Sequence, residues 1–395
     1  MANDIGPDLL SPALWSARVQ VLLKNTLVGA AIANTEERAG LTFGYRVHRP
    51  YTGDVYAVTY TKGTAPTFQD MTATDEYLDV DQAKIIPMYL DDIDKIQNKY
   101  QTLDIYSNRM AYQMRNQIDQ AVLANISNAL LGNTSSYTLD TSNVFKYFSE
   151  AKAALFNNGV EDTKPWYAVV DGDTSSLIEQ VLGFNGFKVS DDTLLNGYGM
   201  KHYMGEWQGL QMFKSQNLPT SVPIVFTDDP TADTTLIING VTFPFVAAVG
   251  ATPGNVLIDA GSAVDTTIGT NLVNAINNGT AGVQYIQLSD ADRAKLSAQG
   301  VTASYVANTN TLTITAFGKM VIGGTQDTGT VGTQTMSLII GQMGGIDLVL
   351  QKEVETEILR VTDGRKGQNI TTFDLYGTKM FREGAQRTYK MTITK

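Results

Sequence analysis

The stretch PMYLDDIDKIQNKYQTLDIYSNRMAYQMRNQIDQAVLANISNALLG, residues 87–132, holds neither Pro nor Gly between its two end residues. Those are the two residue types that most readily break a helix. Asp91, Asp92 and Asp94 cluster where a helix N-terminus favours acid. Apolar or aromatic residues then recur at Ile96, Tyr100, Leu103, Tyr106, Met110, Met114, Ile118, Val122, Ile126 and Leu130. The spacing predicts a helix from about Asp94 to Leu131, roughly 55 Å long. Most steps are four residues, so the stripe advances about 40° each time and winds around the axis. Such a helix suits a long backbone crossed by different elements along its length. A coiled coil would need a shorter period, about 3.5 residues.

Upstream, residues 11–39 read as helix, with Trp15, Val19, Leu22, Leu23 and Leu27 on one stripe, Ser11-Pro12 as its start and Gly40 as its stop. From Tyr45 to Ala83 the texture is strand-like. Val55, Ala57, Thr59 and Thr61 alternate with Tyr56, Val58 and Tyr60, Lys62-Gly63 interrupts them as a loop tip, and a second leg returns through Phe68 to Val80. A two-stranded ribbon is marginal alone in water, so this one is either an exposed hairpin or an arm that docks on a neighbour.

Downstream, residues 140–228 read as an α/β unit: a helix from Val144 to Phe156, the apolar strand Trp166 to Val170 ending in Asp171-Gly172-Asp173, and a helix through Leu177, Ile178, Val181 and Leu182. At Pro230 the composition turns to Thr, Gly, Ala and Asn. A hairpin is expected around Asn239-Gly240, the favoured two-residue turn. Helices are expected at Ile268–Ile276 and Asp290–Ala298, the second capped by Ser289. Strands are expected at Val301–Val306 and Thr311–Thr315, with residues 323–332 as an exit linker. Residues 336–343 and 346–359 resume a helix-and-strand pattern, and Thr372–Tyr376 and Thr388–Ile393 alternate as strands. No internal repeat is evident.

The chain has 395 residues, enough for two or three compact units. With 29 basic against 40 acidic residues and no Lys/Arg run, it lacks the surface that replaces counterions along nucleic acid. There is no cysteine, hence no disulfide or thiolate metal site. The longest apolar run, Leu27–Ala33, is too short to span a bilayer, and Met1–Leu10 carries acid where a signal peptide carries positive charge. His48 and His202 are the only histidines and read as structural. The Asp171–Asp173 and Asp91–Asp94 clusters lack Ca²⁺-loop spacing, and no metal or cofactor is expected. Gly197-Tyr198-Gly199 lacks the third glycine of a dinucleotide fingerprint, residues 323–332 lack Gly-Lys-Ser/Thr, and no G-x-S-x-G elbow occurs. An enzyme is not expected.

The order of elements resembles the major capsid protein of tailed bacteriophages, the Hong Kong 97-type capsid fold. Pro66-Thr67-Phe68-Gln69-Asp70, Leu78-Asp79-Val80-Asp81-Gln82 and Leu90-Asp91-Asp92-Ile93-Asp94 resemble the return leg of that family's extended loop and its run into the spine helix. Ala111-Tyr112 through Ile118-Asp119 is similar to the spine itself. Gly205 to Pro219 is similar to the axial segment with its "Ser-x-Asn-Leu-Pro" exit, and Phe373 to Lys379 to the last peripheral strands. The resemblance covers residues 1–228 and 336–395. It implies an α+β chain with an N-terminal arm at 1–44, an extended β loop at 45–83 and a peripheral domain with the spine helix at 84–139 and 360–395. It further implies an axial domain at 140–230 and 336–359. Residues 231–335 depart from the pattern and are expected as an inserted small α+β domain.

The resemblance implies self-assembly into pentamers and hexamers forming an icosahedral shell in the virion. The shell would be built in the host bacterial cytoplasm and enclose DNA without sequence-specific binding. Its implied partners are copies of the chain, a separate scaffolding protein, a portal protein and a decoration protein, with no membrane. Arg46, Arg49 and Lys62 of the loop are expected to meet Asp91, Asp92 or Asp94 of an adjacent spine, and Lys62 is where a lysine-asparagine crosslink could start. The competing expectations are an encapsulin-type compartment, a secreted adhesin or glycan-binding protein suggested by the Thr/Asn/Gly-rich module, and an unrecognised hydrolase.

Overall fold

A computed structural model describes residues 27–36, 44–53, 55–97, 102–161, 164–184, 203–228, 230–248, 250–258, 266–277, 285–325, 329–360 and 366–395. Most of the expected helix 11–39 lies outside them. The part inside is one turn, α1 (Gly29–Ile32). It stops at Ile32 because Ala33 turns extended and Asn34 pairs in parallel with Asp347.

β1 (Arg46–Thr52) and β2 (Ala73–Asp79) form an antiparallel ribbon in which Arg46 faces Asp79 and Thr52 faces Ala73. The alternation over Val55–Thr61 predicts more strand than there is, since residues 55–72 carry no ladder. β3 (Gln82–Asp91) runs into α2 (Asp92–Gln97), and α3 (Thr102–Ala124) follows. Met110, Met114, Ile118, Val122 and Ile126 are buried as the stripe requires, whereas Ile96, Tyr106 and Leu130 are exposed. α3 spans about 35 Å and ends at Ala124 rather than at the expected Leu131. Its end has a local cause. The Asn125 amide donates back to Ala121 O and across to Thr378 Oγ1, both at 3.0 Å. A 3-10 turn at Asn125–Asn128 follows, and Leu130 turns extended.

The α/β unit comprises β4 (Thr134–Tyr137), α4 (Val144–Asn157), β5 (Trp166–Val170), α5 (Gly172–Phe184), β6 (Tyr203–Trp207), β7 (Leu210–Lys214) and β8 (Pro219–Phe226). Then come β9 (Thr235–Ile238), β10 (Val241–Val246), β11 (Val256–Leu257), α6 (Thr266–Ile276) and α7 (Asp290–Ala298). Asn239 and Gly240, both at positive φ, close the β9–β10 hairpin as its two-residue turn. Ser289 Oγ accepts from Asp292 N at 3.2 Å, capping α7. β12 (Thr302–Val306) pairs antiparallel with β13 (Thr311–Phe317).

The expected exit linker is instead two short strands. β14 (Ile322–Gly324) pairs with β9, and β15 (Gly329–Val331) pairs with β8. The helix expected within 336–359 is likewise strand: β16 (Thr335–Gln342) and β17 (Asp347–Arg360) flank a turn at Gly344-Gly345. β18 (Gly367–Lys379), the short α8 (Arg382–Gln386) and β19 (Thr388–Thr394) complete the chain.

One large sheet has the order β12-β13-β8-β16-β5-β7-β6, with β15 on β8, β19 on β16 and β4 on β19. β16 is central, and Leu338, Ile339 and Ile340 are buried on both faces, as a continuous apolar run requires. A three-stranded sheet, β17-β18-β3, lies along α3. A four-stranded one, β11-β10-β9-β14, belongs to the Thr-rich region.

These sheets cross the boundaries drawn from sequence. β4 and β19, expected with the spine, lie in the large sheet, while β17, expected with the α/β unit, joins the spine's sheet. The 231–335 module has its own core, but Val222, Ile224 and Phe226 of β8 belong to that core, and β13 hydrogen-bonds β8 along its length. The module is therefore an extension of the large sheet.

Candidate assembly surface

The ribbon is anchored at its base. Leu78 and Val80 pack with Val349 and Phe381, and Val80 N donates to Tyr45 O at 2.7 Å. Arg46 grips Asp79 across the two strands, Nε to Oδ1 at 2.6 Å and Nη2 to Oδ2 at 3.0 Å, with the guanidinium 3.7 Å from the Tyr77 ring. That hydrogen-bonded pair holds the Asp79 carboxyl below the usual carboxylate range. His48 Nδ1 lies 2.8 Å from Asp75 Oδ2 on the same ribbon, an exposed structural pair.

Arg49 points off the ribbon. Its Nη1 and Nη2 donate to Asp347 Oδ2 and Oδ1 at 3.1 and 3.0 Å, and its guanidinium covers the Phe381 ring. Asp347 is only 2% exposed and also accepts from Asn34 Nδ2 at 2.8 Å. A buried carboxylate demands such donors.

Beyond the base the ribbon buries almost nothing of its own. Val55, Tyr56, Val58, Tyr60, Phe68 and Met71 are all exposed, Phe68 at 87% and Met71 at 98%. Gln69 ties the two legs through Tyr56, accepting from its N–H at 3.2 Å. Lys62-Gly63 forms the tip, Gly63 at φ 88°, with Lys62 exposed. Single exposed apolar residues are ordinary; this many large ones on one projecting segment mark an interaction surface.

The acidic candidates sit elsewhere. Asp91 Oδ1 accepts from Ile93 N at 2.8 Å, capping α2, and Asp91 Oδ2 accepts from the Tyr89 hydroxyl at 3.1 Å. Asp92 lies 4.0 Å from Arg360, and Asp94 lies in α2. On the ribbon side, Arg46 holds Asp79 and Arg49 holds Asp347, both within the same chain.

The other chemical candidates resolve as structure. Asp171 caps α5, accepting from Thr174 N at 3.2 Å, and the Lys395 ammonium sits against Asp171 and 2.7 Å from Asp173. His202 and the Gly197–Gly199 stretch lie outside the described residues. Among the described residues no group of three metal-ligating side chains is placed to hold an ion, and no helix is long and apolar enough to cross a membrane.

Of the buried carboxylates that the sequence pattern does not announce, Asp119, Asp347 and Asp374, two are held by several donors. One is Asp347. The other is Asp119 on α3, whose Oδ1 accepts from Val28 N at 2.6 Å and Gly29 N at 2.5 Å, and whose Oδ2 accepts from Asn217 Nδ2 at 2.7 Å. Gly29 permits the approach, because a Cβ there would stand 3.0 Å from Val122.

No protein-family model matches the sequence, and no curated protein matches it. Solved structures do match in fold. A chain from Mycobacterium phage Che8 is 14% identical, with TM-score 0.55 and 97% of each chain covered. A chain from the capsid of the cyanophage P-SCSP1u is 10% identical, with TM-score 0.53, covering 100% of this chain and 96% of that one. A chain from the head of Helicobacter pylori bacteriophage KHP40 is 9% identical, with TM-score 0.51, covering 100% and 98%. The fold is that of phage capsid chains. It is the α+β, Hong Kong 97-type capsid fold, and the matches cover 97–100% of this chain.

Proposed function

We propose that this chain is the major capsid protein of a tailed bacteriophage, a non-enzymatic subunit that assembles into pentamers and hexamers of an icosahedral shell around DNA. The observation that carries the reading is the ribbon: a capsid-fold chain projects a row of large apolar side chains that its own body leaves uncovered. Copies of the chain are the partner that such a fold supplies. A scaffolding protein, a portal and a decoration protein are the further partners, and assembly takes place in the host cytoplasm. The acidic balance suits a container that holds DNA without gripping it.

At the contact between copies, Lys62 is the ribbon cation we assign to the acidic start of a neighbouring spine, Asp91, Asp92 or Asp94. Arg46 and Arg49 set the ribbon's direction from inside their own chain. An exposed pair adds about 0–1 kcal/mol, so apolar burial supplies most of the association. Negative-stain electron microscopy with sedimentation tests the reading on the chain alone and co-expressed with a candidate scaffold. Closed shells, or uniform rings of five or six subunits, are expected; a monomer under every condition overturns it.

A further inference from the structure

Asp347 stands where three separate parts of the chain meet. It opens β17, the strand that runs through the three-stranded sheet beside the spine. Segment 28–34 lies along it. Asn34 N donates to Ile346 O at 2.7 Å, Leu348 N donates to Asn34 O at 2.9 Å, and Gly344 N donates to Ile32 O at 3.0 Å. The ribbon's Arg49 arrives with both terminal guanidinium nitrogens. Oδ1 of Asp347 is shared, because it accepts from Asn34 Nδ2 at 2.8 Å and from Arg49 Nη2 at 3.0 Å.

We propose that Asp347 is a positioning residue that couples the seating of segment 28–34 to the direction of the ribbon. The reason is electrostatic. A carboxylate 2% exposed cannot fall back on water when a donor leaves, so each donor strengthens the need for the other. Asn34 orients the carboxylate in the plane that Arg49 requires for its fork, and Arg49 supplies the positive charge against the buried carboxylate. Loss of either contact therefore loosens the other, although the two partners come from segments of the chain far apart in sequence. In the proposed shell, on which this consequence rests, an unseated amino-terminal segment would leave the ribbon free to swing. A seated one aims it.

Hydrogen exchange tests the coupling on the full chain, with every variant purified in the same assembly form. Asn34→Ala is expected to speed exchange about ten-fold at ribbon amides 46–52 and 73–79, as well as at 346–348. Arg49→Lys keeps the charge but not the fork, and is expected to speed exchange at 344–348 by a similar factor. The double variant should exceed the larger single effect by less than two-fold, because each change already breaks the shared site. Arg46→Lys, which alters the ribbon without touching Asp347, should leave 344–348 unchanged. Effects that stay local to each substitution, with the double variant equal to their product, overturn the proposal. If a variant also loosens the central strand Thr335–Gln342, the quantity read is the ribbon's excess over that strand, and an excess of zero overturns the proposal as well. Electron microscopy of the same preparations scores the shell reading separately: a chain that never assembles sinks that reading, while the exchange pattern alone decides the coupling.

Discussion

Asp374 should make the subunit less stable as pH rises, and Asp374→Asn should remove that dependence. The residue lies mid-way along β18, fully buried, with no side-chain donor against either carboxylate oxygen. Thr372 and Tyr376, two residues to either side, are buried on the same face. Burial pushes the carboxyl up to about 6, and Lys84, its register partner on β3, pulls only part of the way back through its backbone N–H and its charge. An unfolded aspartate titrates near 3.9. The folded chain thus holds this proton more tightly than the unfolded chain. The resulting stability is fully present below about pH 4 and is lost as pH rises through about 6. Two pH units correspond to about 3 kcal/mol at most, and local relaxation or water entry would reduce it. Urea unfolding at pH 4, 5, 6, 7 and 8 would measure this, taking Asp374→Asn against the parent. Every other titrating group is common to both proteins and cancels in the difference. The two should be close at pH 4, with the variant ahead by about 1–3 kcal/mol at pH 8. Parallel curves would refute the argument, as would a variant weaker than the parent by more than 1 kcal/mol at pH 8, which would mean that the carboxylate has a stabilising partner.

Asp119→Ala strips three donors of a buried acceptor and should destabilise the subunit by about 2–4 kcal/mol; chemical denaturation measures this, and limited proteolysis should show residues 27–36 opening first. Gly240→Ala meets no atom within 4 Å yet must adopt φ 79°, so it should cost about 1 kcal/mol from backbone strain alone, read as a lowered urea midpoint with an unchanged slope. Val55→Ser with Phe68→Ser alters side chains that the subunit does not bury, so stability should stay within about 0.5 kcal/mol of the parent while shells or rings disappear from negative-stain fields.

How far the fold could be read from sequence follows from which interactions are local. The stripe Met110–Met114–Ile118–Val122–Ile126 marked the spine because its burial repeats with the helix period. Asn239-Gly240 and Ser289 were readable because a turn and a cap are each written within four residues. The errors share a different cause. Val55–Thr61 has β-formers in alternation, but a ladder needs a partner strand, and the returning leg pairs only from Ala73. Residues 323–332 are rich in glycine and read as linker, yet β9 and β8 recruit them as edge strands. The proposed assembly residues were only partly legible. Lys62 at a loop tip is visible from its neighbours, whereas Arg49 finds Asp347 298 positions away, and nothing near either residue announces the other.

The polar residues of the spine are the least legible in the sequence, and they explain how the 231–335 region is held. In sequence, Asn116, Asp119 and Gln120 resemble the solvated side of an amphipathic helix. All three are buried. Asp119 receives the free N–H groups that open α1, and Asn116 and Gln120 donate at 3.3 and 3.1 Å to Ala298 O, at the end of α7 in the 231–335 region. Each contact has the sign that a helix end demands, a carboxylate against unsatisfied donors and amides against an unsatisfied carbonyl. Asn217, in the loop between β7 and β8, ties both sets together through Asn116 Oδ1 at 2.8 Å and Asp119 Oδ2 at 2.7 Å. One buried polar face thus fixes segment 28–29, the entry to β8 and the 231–335 region on the same helix. β8 in turn carries the hydrogen-bonded edge on which β13 is built. A module held by both a shared sheet and the spine moves with the body of the subunit, so whatever its outer surface contacts in the proposed shell is placed by α3.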